Sequence, residues 1–278
     1  MKSKAEESDV LVVIAHPDDE VFVSGTLCLF AENGFKTTLI CATDGEGGSR
    51  DLLYSESTLQ LGEIRRRELT LSSWMLRVGE LWFLGQPDTL TPDAEDASGW
   101  DQSTFVSSLG HFIRQCNPKL ILTHGPRGGY GHPAHRLVHR CVMTAAQNVS
   151  FVGSIFSFCG QVGQAFFSWH FDQPSDVLID ARAFLRRRAA SLSYHQTQLN
   201  YFVQPHFPRS LRKLASALFG YTFAFCEAGR KRVPIATTTR FFNRVPVEGL
   251  VLQKSPEGGK PHFFLENFAN AREVQIDR

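Results

Sequence analysis

Six apolar residues in unbroken succession, VLVVIA at 10–15, begin the hydrophobic pattern of the chain. A run without polar alternation fits a strand covered on both faces, as in a parallel sheet. Helical spacing follows in SGTLCLFAENG and closes at Gly34. KTTLICAT at 36–43 predicts a second strand, followed by a Gly-rich loop, DGEGGS. The amphipathic stretch LGEIRRRELTLSSWMLRVG at 61–79 predicts a helix stopped by Gly79, and ELWFLG at 80–85 a third strand. FVSSLGHFIRQCNP predicts a helix ended before Pro118, and KLILTHG at 119–125 a fourth strand. PAHRLVHRCVMTAAQNV predicts a further helix with Pro133 in its first turn. Strand and helix thus alternate over the first 150 residues. That pattern predicts an α/β fold: a doubly wound parallel sheet with helices on both faces.

Beyond residue 150 the pattern weakens. SIFSFC and SDVLID predict strands, ARAFLRRRAASLSYHQTQLNYF a helix, and the last 40 residues read as irregular. A length of 278 residues suits one core domain with appendages, here 9–200 as the core and 201–278 as an extension packed on it. Hydrophobic residues at 42% and charged residues at 21% are an ordinary globular balance. A net charge of +1 favours neither nucleic acid nor an acidic partner. The six cysteines show no CxxC spacing and read as reduced, buried thiols, which suits a cytoplasmic protein. The opening MKSKAEESDV lacks the apolar core of a signal peptide, and no apolar span reaches about 20 residues.

In open α/β sheets, ligands bind beyond the carboxyl ends of the strands. HPDDE ends strand one, DGEGG strand two, GQPD strand three and THGPRGGYGHPAH strand four, so all four polar clusters converge on one sheet edge, the predicted active site. His16 and Asp19 are three residues apart across one turn, and His132 and His135 three apart across another. Two histidines and a carboxylate are a common ligand set for a catalytic zinc, which keeps an open position for water. Zinc lowers the pKa of that water to roughly 7. A second carboxylate such as Asp18 can take its proton, and a further histidine can stabilise an oxyanion. An isolated Asp-Asp pair is ordinarily a turn or helix cap, and an isolated HxxH is common at helix starts. It is their combination at two strand ends that carries the metal reading.

AHPDDE, HPAH, ATDGEGG and RRRE together resemble the LmbE-like, or PIG-L, de-N-acetylases over roughly residues 9–200. These are zinc-dependent enzymes with a Rossmann-like α/β domain that deacetylate N-acetylglucosamine-containing conjugates. The resemblance implies His16, Asp19 and His135 as ligands of one zinc ion and Asp18 as general base. It implies His132 as the oxyanion-stabilising histidine and Tyr130 as a carbonyl-polarising group. Arg65 and Asp88 match substrate-binding positions. The family usually reads HPDH at the second motif; here Ala134 replaces that aspartate. Such supporting contacts are typically worth 10–100-fold in metal affinity or activity.

Glu20, at the start of a helix, is expected to complement the helix dipole. His124 fits either a contact behind the metal ligands or an ordinary buried histidine. His195, in YHQTQ, resembles a late family segment near the site, and Glu46 reads as structural. The Gly-rich loop lacks the Lys-Ser/Thr ending of a phosphate loop. The arginines 186–188 and the basic residues 209–232 read as a solvated face; an anionic substrate or peripheral membrane contact is the sharper alternative. The expected function is release of acetate from an N-acetylated amino sugar, a small molecule or glycoconjugate. The alternatives are a zinc hydrolase of a non-sugar amide and a weakly active sugar- or glycolipid-binding protein.

Overall fold

The computed structural model describes residues 5–48, 60–88, 99–129, 131–158, 175–198, 239, 242 and 247–254, with the backbone of 271–273. Among the described residues, eight strands form one sheet: β1 (Val10–Ile14), β2 (Thr37–Thr43), β3 (Glu80–Gln86), β4 (Leu120–Thr123), β5 (Ser154–Phe158), β6 (Val177–Asp180), β7 (Val247–Lys254) and β8 (Ala271–Glu273). Their order is β3-β2-β1-β4-β5-β7-β6-β8. The first five are mutually parallel, with Val10 opposite Thr37 on one side and Leu120 on the other. β7 runs antiparallel to β5 and to β6, and β8 antiparallel to β6.

The unbroken apolar run at β1 has a direct cause. Leu11, Val13 and Ala15 face a core built with Phe105, Leu109, Leu137 and Val138 of α3 (Gln102–Cys116) and α4 (Pro133–Asn148). Val10, Val12 and Ile14 face the opposite core, with Leu27 and Phe30 of α1 (Ser24–Glu32) and Leu69 and Leu76 of α2 (Leu61–Leu76). Each fully buried aliphatic side chain contributes about 1.5–3 kcal/mol. Both cores load the central strand, so no polar position is tolerated there.

Three expectations change. The helix expected over 181–202 is shorter: a 3-10 turn (Arg182–Phe184) leads into α5 (Leu185–Leu192), and residues 193–198 form turns. His195 and Thr197 in those turns point inward to carboxylates, which continued helix would prevent. The tail expected to be irregular supplies β7 to the interior of the sheet. Arg188, expected on a solvated face, is buried. Its Nη2 lies 2.9 Å from Glu248 Oε1 of β7 and its guanidinium covers Phe242. Glu248 in turn caps α1, accepting from the amides of Gly25 (2.6 Å) and Thr26 (2.8 Å) and from the Thr26 hydroxyl (2.7 Å). The basic residues 209–232 and Tyr130 lie outside the described residues. Among the described residues, no helix is long and apolar enough to cross a membrane.

Candidate metal centre

The strand order reverses between β1 and β4, the position where open α/β sheets leave a ligand crevice. β1 ends at Ile14, and the chain turns through His16, Pro17 and Asp18 into a 3-10 helix, Asp19–Val23. The His16 amide donates to Asp19 Oδ2 at 2.7 Å, folding the Asp19 carboxylate back beside the His16 ring. Asp18 sits at φ 113°, a region L-residues rarely adopt. After β4, Gly128, Gly129 and Gly131 all have positive φ and reverse the chain. His132 then precedes α4 as its N-cap, and His135 sits within its first turn. Three residues apart, the two imidazoles share one helix face.

His135 Nε2 lies 3.2 Å from Asp19 Oδ1 and 3.3 Å from His16 Nδ1, and His16 Nδ1 lies 3.5 Å from Asp19 Oδ2. Tetrahedral coordination with bonds of 2.0–2.2 Å places neighbouring ligand atoms about 3.3–3.6 Å apart. Each pairwise contact falls near that range, His135 against Asp19 Oδ1 and His16 against Asp19 Oδ2, and the donor types are those of a zinc-type site. His135 Nδ1 donates to the Gly128 carbonyl at 3.2 Å, which leaves the Nε2 lone pair directed at His16 and Asp19. Among the described residues, two overlapping groups are close enough to hold an ion: His16, His132 and His135, and Asp19, His124 and His135. His124 is the weaker donor, because its Nε2 already accepts the Ala15 amide at 3.0 Å. It stacks on His135 at 3.9 Å between ring centroids and fixes that ring from behind.

The buried groups of the cluster act strongly on one another. Burial works against charge on His16, yet the carboxylates of Asp19 and Asp88 hold its pKa up at about 10. Burial also opposes ionisation of Asp19, but the imidazoles of His135 and His124 keep it well below the usual carboxylate range. Burial, with the other imidazoles adding to it, pushes His124 and His132 down to about 3. Burial pushes Asp18 up to about 7, against the pull of Arg65 and with the push of Asp19. Asp18 and His132 are the partly exposed members, whereas His16, Asp19 and His135 are buried.

Arg65 and Asp88, expected at the substrate, are turned toward the protein. Arg65 is 3% exposed. Its guanidinium donates to the carbonyls of Gly45 (2.7 Å) and Pro17 (2.5 Å) and to Asp18 Oδ2 (3.2 Å). It braces the turn that carries Asp18. A Cβ at Gly45 or Gly48 would fall 2.5–2.6 Å from that guanidinium, which explains the glycines of DGEGG. Asp88 points one oxygen at His16 and the other at the Gly47 amide.

Sequence reasoning missed the network behind Asp18. Glu20 is fully buried and does not serve a helix dipole at the surface. It accepts the Asp18 amide at 3.1 Å and the Ser72 hydroxyl at 2.6 Å, and it pairs closely with His195. Burial opposes charge on His195, yet Glu20, with Glu68 and Asp18 behind it, raises its pKa. Glu68 clamps the same turn by accepting the Thr197 amide and hydroxyl at 2.9 and 2.7 Å. The signal was present in YHQTQ, but only its approach to residue 20 gives it meaning. Glu20→Ala strands a buried imidazole and frees the Asp18 backbone. A loss of about 1–3 kcal/mol in urea unfolding is expected, together with reduced turnover; unchanged unfolding would remove Glu20 as a support.

Fold and site together define a Rossmann-like α/β protein with a buried histidine–aspartate cluster at its switch point that could hold a metal ion. The chain belongs to the PIG-L family. The family model described as GlcNAc-PI de-N-acetylase matches residues 11–146. A 1D-myo-inositol 2-acetamido-2-deoxy-alpha-D-glucopyranoside deacetylase of Acidothermus cellulolyticus is 31% identical over 233 residues, covering 68% of this chain and 79% of that protein. Among solved structures, an N,N'-diacetylchitobiose deacetylase from Pyrococcus horikoshii aligns with a TM-score of 0.52 at 18% identity, over 88% of this chain and 84% of its own. A 4-carboxy-2-hydroxymuconate hydratase from Pseudomonas putida aligns with a TM-score of 0.59 at 17% identity, over 92% of this chain and 99% of its own. At such identities the structural likeness speaks for the fold alone.

Proposed function

We propose that this protein is a zinc-dependent de-N-acetylase that hydrolyses the acetamide of an N-acetylglucosamine-type conjugate, releasing acetate and a free amine. The observation that carries the reading is the convergence of His16, Asp19 and His135 to 3.2–3.5 Å, with a strained carboxylate, Asp18, on the same turn. The kinship with inositol-linked GlcNAc deacetylases supports the substrate class. His16, Asp19 and His135 would hold the ion. When bound, zinc supplies Lewis-acid polarisation of the amide carbonyl and lowers the pKa of a water molecule to roughly 7.

The chain's own groups supply the rest. Asp18 takes the proton of the attacking water and returns it to the departing amine. Arg65, bonded to Asp18 Oδ2 and to the Pro17 carbonyl, fixes the direction of that carboxylate. His132, half-buried at the start of α4, donates to the oxygen that becomes negative as the tetrahedral carbon forms. Tyr130, two residues before it, is assigned to the same oxygen. A reducing, cytoplasmic compartment fits the free, buried Cys28, Cys41, Cys116 and Cys141.

The test is acetate release from a panel of N-acetylated amino sugars, with non-sugar acetamides alongside. Release is expected from the sugars. It should be abolished by a strong chelator and restored by zinc. Chelator-insensitive release, or release from the non-sugar amides alone, would sink this reading.

A further inference from the structure

We propose that Asp88 is a positioning residue for His16: its carboxylate holds the Nε2 proton, so that the Nδ1 lone pair is turned to the metal. The inference rests on the metal centre proposed above.

An imidazole has two nitrogens, and the partner of one decides whether the other is bare. Here the two face opposite ways. His16 Nδ1 looks at His135 Nε2 (3.3 Å) and Asp19 Oδ2 (3.5 Å), whereas Nε2 lies 3.4 Å from Asp88 Oδ1. A carboxylate behind a ligating histidine selects the tautomer, fixes the ring and raises ligand basicity. His135 has its Nδ1 hydrogen-bonded to the Gly128 carbonyl; at His16 the Asp88 carboxylate approaches Nε2 to 3.4 Å without a formed hydrogen bond, so a proton placed on Nε2 when Nδ1 holds the metal has that oxygen beside it.

Asp88 is itself tightly held. Its Oδ2 accepts the Gly47 amide at 3.2 Å and lies 3.9 Å from Arg65 Nη1. Its own amide donates to Glu46 Oε1 at 2.9 Å. A Cβ at Gly47 would fall 2.1 Å from the Asp88 carbonyl oxygen, so the Gly-rich loop can close on Asp88 only with glycine there. Loop DGEGG is thus a clamp on an aspartate rather than a cradle for a ligand. Both carboxylate oxygens face protein groups, and the side chain is 9% exposed.

The experiment uses the full chain and zinc alone, in competition with a chelating indicator. Asp88→Asn is nearly isosteric, and it is expected to weaken the zinc Kd by about 10–100-fold. At saturating zinc, the KM of the sugar substrate should stay within about twofold of wild type. An unchanged zinc Kd with a raised KM would overturn the proposal and make Asp88 a sugar contact. A second measurement needs no variant. Long-range proton–nitrogen NMR of the zinc-loaded wild type should show His16 protonated at Nε2 and metal-bound at Nδ1; the reverse assignment overturns the proposal. A wild-type chain that takes up no zinc overturns the centre itself, an outcome distinct from either.

Discussion

Asp18→Asn is expected to lower kcat for acetate release by about 10²–10⁴-fold, with zinc content near the wild-type level. Asparagine keeps the size and the side-chain oxygen that can accept from Arg65 Nη2, now 3.2 Å from Asp18 Oδ2. It cannot take a proton at neutral pH. The proposed ligand atoms are those of His16, Asp19 and His135, so occupancy should survive. Turnover within threefold of wild type would remove Asp18 from the chemistry, and loss of zinc would make it part of the ligand set. The same position tests the strain. At φ 113° a backbone cost of about 1–3 kcal/mol is held in place by its neighbours. Asparagine tolerates positive φ better than most residues and alanine does not. Asp18→Ala should therefore unfold more readily than Asp18→Asn, by about 1 kcal/mol. Equal stabilities would show that the turn relaxes once the aspartate is gone.

Glu248→Ala is expected to have the largest effect on stability, about 3–5 kcal/mol. The carboxylate is buried, and it satisfies two backbone amides and a hydroxyl at the start of α1 as well as the Arg188 guanidinium. Removing it leaves a cation that is 1% exposed beside a helix terminus without its acceptor. The melting temperature should fall by roughly 10 °C. A cycle through Arg188→Met separates the contributions: the double variant should recover part of the loss, because the buried charge no longer lacks a counterion. A single-variant loss under about 1 kcal/mol would mean that water reaches the pair.

Much of this architecture was readable along the chain. VLVVIA is loaded by two cores, so its pattern had to be continuous, and the alternation of strand and helix through Asn148 followed from periodicity. HPDDE and HPAH were legible as metal-site candidates because parallel strands place successive loops on one edge. The protein contacts of Arg65 and Asp88 were not. Both are polar residues near the site, and orientation toward ligand or toward protein leaves no mark on residue type. The tail was misread because VEGLVLQK has only Leu250, Val251 and Leu252 in succession, too short a pattern to announce a strand.

Residue order dictated the two-faced central strand, the turns that follow it and the donor types at those turns, because these depend on neighbours a few positions apart. Folding in three dimensions chose the partners. Glu20 with His195 are 175 positions apart, and Glu248 with Gly25 are 223 apart. A buried carboxylate is stable only where donors surround it, and those donors come together only when the sheet has assembled.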